Sequence, residues 1–278
     1  MLVLPDSLLQ SFLHEDVPYG DLTTGLLAIG AEPARIGFVA RTPLQLCGVE
    51  EAARLIQLAG GDAAPLRRSG EWCEPGVPVL EGQGRAETVI AAWKVAQTLI
   101  ETASGIATAV RHIRDAAERG GGAAVACTRK SAPGTRALAL KAVQAGGGIA
   151  HRLGLSDSIL VFPEHCAFLD EAPAATVRRL KAACPERRVV VEAATRDDAL
   201  IWAEAGADVL QLEKFPPEAV AEIAHFLAGM ASPPLLAAAG GVNEGNACAY
   251  AQAGAQLLVT SAPYWAKPAE IQVRIGRA

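Results

Sequence analysis

The chain has 278 residues, with 25 basic and 30 acidic side chains, a formal net charge of -5 and a hydrophobic fraction of 51%. This length suffices for one large barrel, or for a barrel with a smaller domain. The acidic balance argues against the nucleic-acid backbone as the main partner, because that partner requires a clustered basic surface. A small anionic substrate needs only local arginine and lysine side chains and stays compatible with this charge.

The first residues do not have the features of a signal peptide. They lack a basic region, and Pro5 and Asp6 interrupt the apolar run. No stretch approaches the ~20 uninterrupted apolar residues that span a bilayer. The cysteines lie far apart, without a Cys-x-x-Cys pair or the histidine spacing of a zinc site, so we expect reduced, mostly buried thiols. A cytoplasmic protein without membrane or nucleic-acid partners is predicted.

The first hundred residues indicate a small α/β domain. Apolar residues between 8 and 13 fall at helical spacing after Asp6 and Ser7, either of which could cap a helix. Residues 35–49 and 65–80 are typical of short strands separated by turns, with a helix over 50–59 between them, and Gly70, Pro75, Gly76 and Pro78 divide the later strands. Residues 85–118 form one long helical region, with an interruption expected around Ser104 and Gly105.

From about residue 123, strands alternate with helices. The predicted strands are AAVACTRK, DSILVF, RRVVVEAA, DVLQLEKF, PLLAAAGG and QLLVTSA, and the predicted helices cover 135–145, 173–183, 196–205, 217–229 and 244–253. Apolar strands joined by crossover helices predict a parallel sheet, and their number favours a barrel with fewer than eight strands over an open sheet. Gly206 and Gly254 are expected to end the helices that precede them.

Polar residues follow nearly every predicted strand. Parallel barrels carry their active sites at the carboxyl ends of the strands, where these residues would meet. The residues at these strand ends are Thr128, Arg129, Lys130, Glu192, Glu213, Lys214, Gly240, Gly241, Thr260 and Ser261. His151 and Arg152 follow a glycine run just before the second predicted strand. Polar strand ends also arise simply because loops are solvated. The concentration of charge in a chain with only 20% charged residues favours a functional site.

The last two strand ends favour a phosphate site. Gly240 and Gly241 would let the backbone approach a ligand closely, and Asn243 is a good cap for the next helix, whose amides would then face an anion. Thr260 and Ser261 could add hydroxyl donors. The alternative for the paired glycines is an ordinary tight turn.

Several charged residues are expected on the same rim. Arg129, Lys130 and Arg152, with Lys141 as a further candidate, would supply positive charge for carboxylates or phosphates. Glu192 and Glu213 could hold Mg²⁺ or accept ribose hydroxyls. The alternative for the two glutamates is pairing with a nearby lysine or arginine, such as Lys214.

Seven segments together resemble the quinolinate phosphoribosyltransferase family. They are EDVPYGDLTT (15–24), SGIAT (104–108), TRKSAPGTR (128–136), AGGGIAHRLGLSD (145–157), VVVEA (189–193), LQLEKF (210–215) and AAGGVN (238–243). The resemblance implies an N-terminal α/β sandwich with a helical connector over 1–106, an α/β barrel with the active site over 107–265, and a segment over 266–278 that packs back on the first domain. It also implies a homodimer with the active site at the interface.

The resemblance further implies a reaction of phosphoribosyl pyrophosphate with a pyridine dicarboxylate, aided by Mg²⁺, with release of pyrophosphate and then CO₂. Residue roles carried over by motif place Arg129, His151 and Arg152 on the acid substrate, Lys130 on phosphoribosyl or pyrophosphate oxygens, Glu192 and Glu213 on the ribose and the metal, and Gly240, Gly241 and Ser261 on the phosphate.

Three departures from the family pattern affect the acceptor. Thr102 stands where the family has an arginine that reaches across the dimer to a substrate carboxylate, Phe162 stands where it has a lysine, and Ala239 replaces a serine. Losing two cations from a dianion site costs about 1.5–3 kcal/mol for each charge-assisted contact. Quinolinate is therefore not the expected substrate. These changes resemble the ModD branch of the family, which is associated with molybdenum transport and is related to NAD-biosynthesis enzymes.

Three alternatives stay open on the sequence alone. The first is a non-catalytic protein that binds a nucleotide or oxyanion in molybdate homeostasis. The second is a true nicotinate-nucleotide pyrophosphorylase (carboxylating). The third is a sugar-phosphate lyase or aldolase with a Schiff base at Lys130 or Lys214.

Overall fold

A computed structural model describes residues 2–278, which divide into two compact units. The first unit comprises the residues up to Arg111 together with 131–147 and 263–278. The second comprises 112–130 and 148–262. No helix among the described residues is both long and apolar enough to cross a membrane.

The helices are α1 (Asp6–Asp16), α2 (Leu22–Leu26), α3 (Val49–Leu58), α4 (Ala86–Arg119), α5 (Arg136–Ala145), α6 (Pro163–Cys166), α7 (Pro173–Ala183), α8 (Arg196–Glu204), α9 (Pro217–Leu227) and α10 (Glu244–Gln252). A 3-10 turn covers Ala262–Trp265. The strands are β1 (Pro33–Ala40), β2 (Leu44–Gln45), β3 (Asp62–Pro65), β4 (Trp72–Cys73), β5 (Pro78–Arg85), β6 (Ala124–Cys127), β7 (Ile149–Ala150), β8 (Ile159–Val161), β9 (Val189–Ala193), β10 (Val209–Glu213), β11 (Leu235–Ala239), β12 (Leu257–Thr260) and β13 (Ile271–Arg277).

The first unit is built on an antiparallel sheet with the strand order β13-β1-β5-β3. The C-terminal strand β13 pairs with β1 from Ala34 opposite Arg277 to Ala40 opposite Ile271. Alternate residues of β1, including Ile36 and Phe38, are buried against the core. This period of two is typical of a sheet with one covered face.

The predicted cap of the first helix was wrong. Helix α1 forms where predicted, but its N-cap is Pro5, which offers no side-chain acceptor, and Asp6 forms a salt bridge with Arg54 at 2.7 Å instead. Residues 65–80 form short strands separated by turns, as predicted, with β4 only two residues long and β5 starting at Pro78. The glycines and prolines of this segment leave too few consecutive residues for a longer ladder.

Helix α4 continues through Ser104 and Gly105 without the predicted interruption. The buried Ser104 hydroxyl accepts a hydrogen bond from Cys47 N at 3.0 Å and donates to Cys47 O at 3.3 Å. A Cβ at Gly105 would lie 2.4 Å from the carbonyl oxygen of Lys267. These small residues therefore permit close packing against the helix and do not break it.

The second unit is a parallel α/β barrel whose sheet stays open. Its seven strands run in the order β7-β6-β12-β11-β10-β9-β8, and no pairing joins β7 to β8 within residues 2–278. The six predicted strands and the fold class are confirmed. The seventh strand, β7, was missed because only Ile149 and Ala150 pair, directly after a glycine run.

Two apolar layers hold this unit together. One lies between the strands and the surrounding helices and includes Leu210, Leu212 and Leu258. The other fills the barrel interior with small and branched side chains, namely Ala126, Val209, Ala237, Ala239 and Val259. Gly206 and Gly254 follow α8 and α10 with φ of 88° and 94°, which confirms the predicted helix ends.

The cysteines are all free thiols, as expected. Three of them are buried, Cys47, Cys73 and Cys127, whereas Cys184 is exposed, so the expectation of mostly buried thiols holds only in part. Burial raises the pKa of both Cys47 and Cys127 to about 12, which keeps these two thiols protonated and unreactive.

Candidate active site

A cavity of about 1200 Å³ opens at the carboxyl ends of the barrel strands, entirely within the second unit. It brings together most of the predicted site residues: Arg129, Lys130, His151, Arg152, Phe162, Glu192, Glu213, Gly240, Gly241, Thr260 and Ser261. Thr102, Lys141 and Lys214 do not line this cavity. Thr102 lies on α4 in the first unit, and the resemblance places the residue at this position in the active site of the partner chain. Single-ligand sites are usually about 300–1,000 Å³, so this space can hold two small molecules.

Strand register explains the convergence of the two glutamates. In the parallel pair of β9 and β10, Glu192 lies directly opposite Gln211. Glu213 lies two residues after Gln211 on the same strand and therefore on the same face. Both carboxylates consequently point into the cavity.

The environment of Glu192 disfavours its charged form. Burial raises the pKa of Glu192 above its ordinary value of 4.5, and the nearby charge of Glu213 raises it further. The Gln211 Nε2 donates to Glu192 Oε2 over 2.6 Å, which acts in the opposite direction. Neither glutamate forms a salt bridge with any residue from 2 to 278, so the reading of Glu213 as a partner of Lys214 finds no support.

Three cations of the cavity have no salt-bridge partner among the described residues, whereas Arg179 pairs with Glu171. Arg129, Lys130 and Arg152 form no salt bridge in the described part of the chain. Burial lowers the pKa of Arg152, and the charge of Arg129 lowers it further, against a smaller effect of Glu192 in the other direction. Charges held this way call for an anionic ligand.

His151 adds a neutral polar group beside these arginines. Burial lowers the pKa of its imidazole below the ordinary value of 6.5, and the charge of Arg152 lowers it further. The side chain is therefore uncharged at neutral pH. Such an imidazole can donate one hydrogen bond and accept another, but it adds no positive charge to the site.

One wall of the cavity is aromatic. The guanidinium of Arg152 lies 5.4 Å from the centre of the Phe162 ring, and the ring of His165 lies 5.7 Å from the same centre. His165 Nδ1 accepts a hydrogen bond from Phe162 N at 2.9 Å, so its Nε2 carries the proton in the neutral form. This wall can stack against a planar ring.

The glycine pair forms another part of the cavity lining. Gly240 and Gly241 have φ of 81° and 89°, a conformation that favours glycine. A Cβ at Gly240 would lie 2.6 Å from Lys214 Cγ and 2.7 Å from Glu213 Oε1. Glycine is therefore required here for close approach of the glutamate, beyond the needs of an ordinary turn.

The helix after the glycines starts as predicted. Asn243 caps α10 by accepting a hydrogen bond from Gly245 N at 2.9 Å. Thr260 donates its hydroxyl proton to Val242 O at 2.6 Å and accepts from Ala262 N at 3.0 Å. Its hydroxyl thus holds this loop in place, and Ser261 is the predicted hydroxyl donor that stays available to a ligand.

Lys141 is the predicted rim residue that is buried elsewhere, and several lining residues were not predicted. Lys141 does not join the rim: it is 3% exposed in the first unit and bonds to Glu50 at 3.0 Å and Glu51 at 2.6 Å. Glu164, Arg179 and Gln211 line the cavity without having been predicted to do so. For Gln211 a signal existed, because it is a polar residue at an inward position of an otherwise apolar strand.

Two family models match adjacent parts of the chain. The N-terminal domain of quinolinate phosphoribosyl transferase matches residues 21–104, and the C-terminal domain matches residues 106–274. The chain belongs to the quinolinate phosphoribosyltransferase family. It is thus an enzyme of the pentosyltransferase class that uses phosphoribosyl pyrophosphate and releases pyrophosphate. This assignment leaves the lyase or aldolase alternative without support.

Relatives in this family include proteins named ModD, and the predicted resemblance to that branch is confirmed. The chain is 49% identical to ModD of Rhodobacter capsulatus over 249 residues, which cover 89% of this chain and 96% of the relative. It is 39% identical to ModD of Pasteurella multocida over 284 residues, with coverage of 100% and 99%. The nicotinate-nucleotide pyrophosphorylase (carboxylating) of Mycobacterium leprae is 32% identical over 257 residues, with coverage of 90% and 89%.

Solved structures share the fold. The nicotinate-nucleotide pyrophosphorylase of Francisella tularensis superposes with a TM-score of 0.90 at 22% identity, covering 99% of this chain and 98% of that one. NadC of Streptococcus pyogenes gives 0.89 at 22% identity, with both chains fully covered at 100%. The arrangement of a small α/β domain and an open α/β barrel is thus common to the family.

Proposed function

We propose that the cavity transfers a phosphoribosyl group from phosphoribosyl pyrophosphate to a nitrogen heterocycle other than, or less acidic than, quinolinate. The observation that carries this proposal is the set of unpaired charges around one cavity. Three cations and two carboxylates face the same space without salt bridges among the described residues, beside an aromatic wall. A ligand with phosphates, hydroxyls and a planar ring would satisfy each of these groups.

Phosphoribosyl pyrophosphate would bind next to Gly240 and Gly241. Backbone amides of Gly240 and Gly241, the start of α10 and the Ser261 hydroxyl suit a 5-phosphate. Lys130 would neutralise pyrophosphate oxygens. The two glutamates, Glu192 and Glu213, would accept hydrogen bonds from the ribose, consistent with the effect of the Glu213 charge on the pKa of Glu192.

The same two glutamates fit Mg²⁺. No group of three or more metal-ligating side chains occurs among residues 2–278, which leaves a pair of carboxylates. Mg²⁺ usually keeps several waters and binds through one or two carboxylates together with substrate phosphates. When bound, it would offset the charge of the leaving pyrophosphate.

The chemistry would be a displacement at C1 of the ribose. The bond from C1 to the pyrophosphate oxygen breaks, pyrophosphate leaves with that electron pair, and a ring nitrogen of the acceptor forms the new bond to C1. Positive charge develops on the sugar in between, and the carboxylates of Glu192 and Glu213 would stabilise it. Holding donor and acceptor in line supplies much of the remaining acceleration.

The acceptor would lie against the aromatic wall. Phe162 and Arg152 would cover its ring, while Arg129 and the neutral His151 would bind one acidic substituent. A second carboxylate would find apolar Phe162 where a cation would be needed. This favours a heterocycle with a single acidic group, and a link to molybdenum transport stays a prediction suggested by the ModD relatives.

A homodimer is proposed on the basis of an exposed apolar patch in the first unit. Tyr19, Leu22 and Leu26 are 98%, 75% and 79% exposed. Large apolar side chains clustered in this way usually lie in an interface. The cytoplasmic location inferred from the sequence likewise stays a prediction.

The test is release of pyrophosphate from phosphoribosyl pyrophosphate with Mg²⁺ across a panel of pyridine and other heteroaromatic acids. We expect turnover with a monoacid and weak or absent turnover with quinolinate. Preferred turnover of quinolinate with CO₂ release would identify a carboxylating nicotinate-nucleotide pyrophosphorylase instead. Tight nucleotide or molybdate binding without turnover of any acceptor would favour the non-catalytic alternative.

A further inference from the structure

One buried side chain in the cavity has a polar atom without a partner. Gln211 is 5% exposed in the middle of β10. Its Nε2 donates to Glu192 Oε2, but its Oε1 accepts no hydrogen bond from any residue between 2 and 278. An unsatisfied buried acceptor destabilises a folded protein, so its presence needs an explanation outside the fold itself.

The sheet directs this amide into the cavity. Gln211 shares the inward face of β10 with Val209 below and Glu213 above. Val209 belongs to the apolar layer of the barrel interior, together with Ala237. Gln211 therefore replaces an apolar residue at the boundary between that layer and the charged mouth, and it lines the cavity there.

The hydrogen-bonding groups that face the cavity around Gln211 are all acceptors. Ionised Glu192 and Glu213 offer only acceptors, and the free Oε1 adds another. Turning the amide over would place Oε1 against the Glu192 carboxylate, so the bond from Nε2 fixes its direction. Phosphate, pyrophosphate and carboxylate groups have no donors to offer this row of acceptors. Neighbouring hydroxyls of a sugar do.

We propose that Gln211 is a sugar-binding residue whose Oε1 accepts a hydrogen bond from a ribose hydroxyl of the phosphoribosyl donor. Its Nε2 at the same time holds Glu192 Oε2 in place, so that Glu192 accepts from the adjacent hydroxyl. This inference rests on the proposed function, since it assigns the ribose of that donor. Gln211 would thereby select a ribosyl donor over a deoxyribosyl one.

Calorimetry with ribose 5-phosphate and its 2-deoxy and 3-deoxy analogues tests the proposal, on the wild-type chain and on Gln211→Leu in buffer without Mg²⁺. We expect the substitution to weaken the binding of ribose 5-phosphate about five- to tenfold, which is the effect of one lost hydrogen bond. One of the two deoxy ligands should bind the wild type more weakly by a similar factor and should lose nothing further in Gln211→Leu. An equal loss for all three ligands, or no loss, would overturn the assignment.

A second arm separates the sugar from a metal-bound water, the other source of a donor. A Gln211→Leu effect that appears only when Mg²⁺ is added, and equally for the deoxy ligands, would overturn the hydroxyl assignment. If the wild type binds ribose 5-phosphate and Gln211→Leu binds it equally well, this inference fails and the proposed function stands. Absence of wild-type binding with and without Mg²⁺ defeats the proposed function as well.

A matched variant separates ligand binding from folding. Gln45 is 4% exposed, and both ends of its amide are paired: Nε2 with Ala145 O at 2.9 Å, and Oε1 with Arg111 Nη1 at 2.7 Å. Gln45→Leu should therefore lower Tm by several degrees, whereas Gln211→Leu should lower it less, because it loses one bond to Glu192 but also removes an unsatisfied buried acceptor. A fall in Gln211→Leu as large as that in Gln45→Leu would assign the residue to the fold and overturn the proposal.

Discussion

The ionised carboxylate of Glu192 destabilises the folded chain. Burial and the neighbouring Glu213 both disfavour its charged form. The folded chain therefore binds this proton more tightly than the unfolded chain does. The resulting loss of folding free energy is absent below about the ordinary pKa of 4.5. It grows as the pH rises through the raised pKa of Glu192 and is complete above that pKa.

Glu192→Gln removes that charge while keeping an acceptor for Gln211. We expect the variant to have a larger free energy of unfolding than the wild type at pH 7, with the gain shrinking as pH falls towards 4.5. Urea unfolding at a series of pH values measures this. Affinity for phosphoribosyl pyrophosphate should fall about 10- to 100-fold, because a charge-assisted contact is lost. A gain independent of pH, or a loss of stability at pH 7, would contradict the electrostatic account.

Substitution of Phe162 tests whether the aromatic wall of the cavity determines the charge of the acceptor. Phe162→Lys places a cation beside Arg152 and removes the ring that its guanidinium covers. We expect affinity for quinolinate to rise about tenfold, from one added charge-assisted contact. Competition binding against a monoacid gives the measurement, with Phe162→Met as the uncharged control. No gain over Phe162→Met would remove Phe162 as a determinant of acceptor charge.

At the scale of elements, strands and helices in the barrel followed from the sequence because each apolar run is bounded by glycine or by polar residues. Strand β7 was missed because two paired residues carry no periodic signal. Ser104 and Gly105 suggested a break in α4, yet the contact between Gly105 and Lys267 O depends on residues distant in sequence. Such long-range packing leaves no local pattern to read.

The same limit applies to the site. Arg129, Glu192 and the glycine pair were predictable because barrel topology brings strand ends together. Lys141 was misplaced because a lysine on a helix is usually exposed, and its buried partners lie about ninety residues earlier in the chain. The free acceptor of Gln211 is a property of geometry alone.

Helices α3 and α5 are joined by a buried ion pair. Lys141 and Glu51 are each 3% exposed, and Glu50 adds a further contact. Burial lowers the pKa of Lys141, but its bonds to Glu51 and the nearby charges outweigh this and raise it overall. The lysine is therefore charged in the folded protein.

Lys141→Met should lower the free energy of unfolding by about 3–5 kcal/mol, because Glu51 is left buried and unpaired. Chemical denaturation gives the value. The double variant Lys141→Met/Glu51→Met serves as the control and should recover most of the loss, since two apolar residues of similar size leave no buried charge. A loss under about 1 kcal/mol for the single variant would argue that the pair contributes little.

For the whole molecule, the proposed dimer makes a direct prediction. Sedimentation equilibrium should give about twice the chain mass of 28.8 kDa. Leu22→Glu/Leu26→Glu should give the single-chain mass, because charges in the apolar patch oppose its burial. Ile201→Glu, at a side chain 50% exposed in the second unit, is the matched control and should leave the dimer intact. A wild-type chain that sediments at 28.8 kDa would refute the dimer.

The central claim is that one cavity in the second unit binds phosphoribosyl pyrophosphate. Titration calorimetry of the wild-type chain with this compound and Mg²⁺ tests it most directly. The account predicts one molecule bound per chain, with affinity at least tenfold weaker after Mg²⁺ is removed by a chelator, because the carboxylates and the pyrophosphate then repel each other. No binding at millimolar phosphoribosyl pyrophosphate in the presence of Mg²⁺ would contradict it.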